Sequence, residues 1–83
     1  MKVIVTNKGK QEAFEVDCDV QEAFEKLGTA TARMERQFMT SIDLILDKEE
    51  SEVTLLCDDV NPMLAEFMLD ICKRELKSLK KTA

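Results

Sequence analysis

The first sixteen residues read as strand, turn and strand. Lys2 to Thr6 (KVIVT) is rich in β-branched residues, and Ala13 to Val16 places Phe14 and Val16 on one face. Between them Asn7-Lys8-Gly9-Lys10 has turn chemistry, with Gly9 able to take a φ > 0 position in a loop of about three to five residues. The pattern predicts a β-hairpin.

From Val20 the period changes to that of a helix. Asp19 is a good N-cap, and Glu22 three residues later completes a capping-box pattern. With Val20 set at zero and about 100° per residue, Phe24, Leu27, Thr31, Met34, Phe38, Ile42 and Ile45 all fall within about 40° of zero. A break at Gly28 would reset this phase, and the phase is not reset. The spacing therefore predicts one helix over Val20–Leu46, with Gly28 inside it at a cost of roughly 1 kcal/mol relative to alanine. Gly28, Ala30, Thr31 and Ala32 form a narrow waist open to close approach by another backbone.

A polar connection, DKEESE, leads to a third strand over Glu52–Cys57, with Val53, Leu55 and Cys57 on one face. Asn61-Pro62 reads as an N-cap followed by proline at the first helical position. A last helix from Pro62 to about Lys80 carries the stripe Leu64, Phe67, Met68, Ile71, Cys72, Leu76 and Leu79. Glu75 falls inside this stripe, which calls for a cationic partner or for a core that has already ended. The expected fold is a single α+β domain over residues 1–83: a two-layer ββαβα arrangement in which a three-stranded sheet, hairpin plus one strand, is covered by one long helix and a C-terminal helix.

A helix of about 27 residues spans roughly 40 Å. A compact chain of this length is about 30 Å across. The long helix would then overhang its own domain, and its apolar end, with Phe38, Met39, Ile42 and Leu46, would need cover. Those four residues are the expected self-association surface, and a homodimer is the expected state.

Composition narrows the chemistry. Histidine, tryptophan and tyrosine are absent from the 83 residues, which removes the commonest general base and two stacking platforms for single-stranded nucleic acid. The three cysteines, Cys18, Cys57 and Cys72, are odd in number and lack CxxC spacing, as expected of free thiols in a reducing compartment. Carboxylates beside Cys18 and Cys57 disfavour thiolate. No zinc spacing and no calcium loop is present, and no cofactor motif. No apolar run approaches a membrane span of about 18 residues, and the N-terminus lacks a signal-peptide core, so the cytoplasm is the expected location.

Charge carries the functional reading. The formal net charge is −5, and residues 43–59 hold seven carboxylates, Asp43, Asp47, Glu49, Glu50, Glu52, Asp58 and Asp59, against one lysine. Such a chain is poorly suited to nucleic acid as its main partner, because phosphate contacts need a basic face. The expected function is that of a small acidic, non-enzymatic module that binds another protein with a basic surface. A stoichiometric inhibitor or regulator of a nucleic-acid-handling protein, of the immunity, antitoxin or phage anti-defence kind, has this size and charge. A structural or assembly factor acting as a helix-mediated homodimer is the alternative.

Overall fold

The computed structural model describes residues 1–57 and 62–77. The elements are β1 (Lys2–Asn7), β2 (Lys10–Glu15), α1 (Val20–Phe38), β3 (Asp43–Asp47), β4 (Glu52–Leu56) and α2 (Pro62–Lys77). The class is α+β, and the sheet is mixed and four-stranded, in the order β2-β1-β4-β3. β1 pairs with β2 and β3 with β4 antiparallel, and the two hairpins join through a parallel pairing of β1 with β4.

The first hairpin forms where the alternation places it. Its loop is shorter than expected: only Lys8 and Gly9 intervene, both with positive φ (48° and 84°). That combination suits a two-residue turn whose twist matches the flanking strands. Asp19 caps α1, its carboxylate accepting from the N–H groups of Gln21 (3.1 Å) and Glu22 (3.2 Å). Gly28 lies within α1, as the continuous phase requires, and the Thr31 hydroxyl donates back to its carbonyl at 3.1 Å.

The expected helix over Val20–Leu46 is half right. α1 stops at Phe38, and Met39 takes the left-handed conformation (φ 52°, ψ 48°), its N–H donating to the Glu35 carbonyl. The same carbonyl accepts from Thr40 N–H at 3.2 Å, and the Glu35 carboxylate accepts from Ile42 N–H at 3.0 Å. One residue thus accepts from three N–H groups of the departing chain, those of Met39, Thr40 and Ile42. Residues 43–47 then form β3, a strand absent from the expected ββαβα order, which becomes ββαββα. The confusion has a physical source. Ile42 and Ile45 are three apart and match the helical phase, yet Leu44-Ile45-Leu46 between Asp43 and Asp47 is a short aliphatic run that periodicity alone does not separate from a strand. Pairing with β4 sets Leu44 opposite Leu55 and Leu46 opposite Val53.

Both helices cover one face of the sheet. Rows across the strands, Phe14–Val3–Val53–Leu46 and Val5–Leu55–Leu44, meet Ala23, Leu27 and Met34 of α1 and Met68, Cys72 and Leu76 of α2. Val3, Val53, Leu55, Leu27, Met68, Cys72 and Leu76 are completely buried. Each such aliphatic side chain contributes about 1.5–3 kcal/mol relative to exposure. Because β4 ends beside the start of β3, α1 finishes and α2 begins at the same end of the sheet, and the helices run antiparallel. Lys26 of α1 pairs with Glu75 of α2 at 3.8 Å, both partly exposed, which accounts for the acid within the α2 stripe. Asn61, Leu79 and Lys80, assigned to the ends of that helix from sequence, lie outside the described residues.

The waist at Gly28 receives a side chain rather than a backbone. A Cβ there would stand 3.9 Å from Leu44 Cδ2, an ordinary contact distance. Gly28→Ala is therefore expected to stabilise the fold by up to about 1 kcal/mol, a rise in Tm of a few degrees, through the entropy that glycine loses in a helix. Thermal melts of the two proteins measure this. A lower Tm would mean that β3 closes on the helix more tightly than 3.9 Å allows.

Candidate functional site

Side-chain alternation assigns the face opposite the helices to Gln11, Ala13 and Glu15 of β2, Lys2, Ile4 and Thr6 of β1, Glu52, Thr54 and Leu56 of β4, and Asp43, Ile45 and Asp47 of β3. No described helix packs on it. Its centre is a row running Ala13–Ile4–Thr54–Ile45, buried at Ile4 by its neighbours and 48 % exposed at Ile45.

Charge is unevenly spread over this face. Lys2 stands between Glu15 and Glu52 in register, one cation against two carboxylates. On the β3–β4 side Asp47 stands opposite Glu52, two carboxylates on directly paired residues. The turn joining them adds Glu49 and Glu50, both exposed. Asp47 helps to build that turn, accepting from Glu50 N–H at 3.1 Å, while Ser51 takes a positive φ of 54°. Among the described residues no ion pair neutralises Asp43, Asp47, Glu49, Glu50 or Glu52. Like charges directly opposite in a sheet cost up to about 1 kcal/mol relative to neutral pairs.

Five of the seven acidic residues singled out from sequence are thus brought to one hairpin. Asp58 and Asp59 lie outside the described residues. Sequence reasoning misses Ile45 as the apolar centre of the same face, because residues 42–46 also match the helical phase. The short aliphatic run between two aspartates is the signal that would find it.

The residues expected to mediate self-association are dispersed. Ile42 is buried at 6 %, and Leu46 is half-buried against the core beneath the helices. Phe38 and Met39 are exposed, Met39 by 93 %. The overhang on which that surface was built does not exist, since α1 is 19 residues long and ends beside β3. Met63 and Phe67, at the N-terminal end of α2, are exposed by 80 % and 50 % and stand at the end of the sheet where α1 finishes.

All three thiols are free; Cys57 and Cys72 are buried and Cys18 is half-buried. Burial pushes Cys72 up to about 12, with Cys57 and Glu75 adding to the effect. Burial also raises Cys18; the N-terminal amine opposes this, and Glu22, Asp19 and Asp17 reinforce it. Among the described residues no group of three His, Cys, Asp or Glu is placed to hold a metal ion, and no helix is long and apolar enough to cross a membrane. Beside Phe14, a cleft lined also by Val16, Asp17, Lys73 and Lys77 mixes both signs of charge, and the Lys73 ammonium sits 5.4 Å from the ring centroid.

A neutral Cys72 thiol in the fold gives stability that is fully present below the unfolded-state value near 9 and is lost as pH rises toward about 12. The urea midpoint is expected to fall over that window, less steeply in Cys72→Ala. At neutral pH a thiol reagent should label Cys18 first, and Cys57 and Cys72 only on unfolding. Equal labelling rates for all three would contradict the burial described here.

Comparison with protein-family models, with curated proteins and with solved structures found no match.

Proposed function

We propose that this chain is a non-enzymatic protein-binding module that docks a basic partner through the β3–β4 side of its open sheet face. One observation carries the reading: Asp47 opposes Glu52 on adjacent strands, with Glu49 and Glu50 in the connecting turn, and neither Lys48 of that turn nor Lys2, in register with Glu52, forms an ion pair with them among the described residues. Such repulsion lowers stability, and a solvated surface has no need of it. A basic protein surface would relieve it, and the field would speed encounter at low salt. Ile45 and Thr54 beside the carboxylates supply apolar area that a purely solubilising face would lack. Surfaces rich in lysine and arginine are what proteins use to grip phosphates. A stoichiometric regulator or inhibitor of a nucleic-acid-handling protein, occupying that surface, is the form of the activity that fits the charge.

The test is retention of a basic protein from the native source at low salt, followed by a titration of the purified pair. Reversing Glu49, Glu50 and Glu52 to lysine should weaken the complex at least tenfold, mainly through slower and less salt-sensitive association, while Tm stays within a few degrees. Undiminished affinity in the triple variant would refute the docking surface. Tight, salt-sensitive binding of duplex DNA by the parent protein would overturn the choice of partner class.

A second reading, assembly through self-association, has its own support. Phe38, Met39, Met63 and Phe67 are four of the five exposed large hydrophobic residues among the described residues, and all belong to the end where α1 stops and α2 starts. A homodimer joined there would cover them. Light scattering coupled to gel filtration at micromolar protein should then give twice 9.5 kDa, falling to the monomer mass in Met39→Lys with Tm nearly unchanged. A monomer across a tenfold dilution series would eliminate this reading.

A further inference from the structure

We propose that the partner contributes an extended segment that adds antiparallel to the outer edge of β3, as a fifth strand of the sheet. This rests on the protein-binding reading above and specifies its geometry. β3 is an edge strand among the described residues, paired only with β4. An edge strand leaves a row of backbone N–H and C=O groups unpaired, a template for another strand. The opposite edge, β2, is poorly suited to the role: Lys10, Glu12 and Glu15 interrupt it, and Ala13 is its one apolar residue on the open face. β3 instead sets a large aliphatic residue, Ile45, on that face between Asp43 and Asp47, with Leu44 and Leu46 turned to the core.

Those two aspartates select the occupant. A second copy pairing antiparallel about Ile45 would set Asp43 against the partner's Asp47 and Asp47 against the partner's Asp43, so self-pairing meets like charge at both ends. A segment patterned cation–x–aliphatic–x–cation meets Asp43, Ile45 and Asp47 with complementary groups on the same face. Four residues of strand separate the carboxylates by about 13 Å. An extended basic segment matches that spacing with alternate side chains, whereas cations one turn apart on a helix lie only about 5–6 Å apart. Ile45, 48 % exposed, becomes the apolar contact at the centre.

The probe is the capped peptide Gly-Lys-Thr-Val-Thr-Lys-Gly, titrated into the full-length isotope-labelled chain and read by amide chemical shifts and amide hydrogen exchange. The expected result is saturable shifts centred on residues 43–47, slowed exchange there, and at least tenfold weaker binding of the peptide with glutamate at both lysine positions. Asp43→Lys should abolish the preference for the lysine peptide at that end and weaken its binding several-fold with Tm unchanged. No saturable shift at millimolar peptide, shifts centred on the helices or on β2, or equal binding of the two peptides would overturn strand addition. If partner retention fails in the Glu49/Glu50/Glu52 reversal but is untouched by Asp43→Lys, strand addition falls and the acidic docking reading stands. If neither variant affects retention, both fall.

Discussion

Val3 opposite Val53, and Val5 opposite Leu55, is the contact on which the rest of the molecule depends. It is a parallel pairing between strands some fifty residues apart, and its side chains are among the most deeply buried in the protein. A parallel pair cannot be closed by a tight turn, so the intervening chain must cross from one end of the sheet to the other. α1 makes that crossing over the apolar face of the sheet, and α2 returns across it toward β1. Loop closure of this length is costly in entropy, and it is offset only when the two central strands and both helices bury their stripes together.

Covering one face fixes the character of the other. Leu44 and Leu46 face inward to complete the two core rows, so Asp43, Ile45 and Asp47 must face outward by the pleat. The hairpin register then sets Asp47 against Glu52, and the Asp47 carboxylate that shapes the turn also holds Glu49 and Glu50 close by. The acidic surface is thus a by-product of strand register rather than of any single residue. It gathers five carboxylates and the half-exposed Ile45 on one hairpin, with Lys48 in the turn and Lys2 in register with Glu52.

Much of this was legible along the chain, and the exceptions are instructive. The hairpin, the Asp19 cap, the passage of α1 through Gly28, the buried part of the α2 stripe (Phe67, expected in it, is 50 % exposed) and the α+β class follow from local periodicity and turn chemistry, which depend on residues a few positions apart. The concentration of carboxylates in residues 43–59 is likewise a property of the sequence. Where α1 ends is different. The stretch 42–46 fits a helix by its isoleucines and a strand by its short aliphatic run, and Met39 supplies no glycine to mark the stop. Glu35, a few residues upstream, satisfies the backbone that leaves the helix, and one non-local fact decides the rest: β4 has an edge that Leu44 and Leu46 can pair with while filling the core. Periodicity reports which faces a segment can bury, but only the partner strand determines which of them is buried, because the hydrogen bonds and apolar contacts that choose between helix and strand lie elsewhere in the chain.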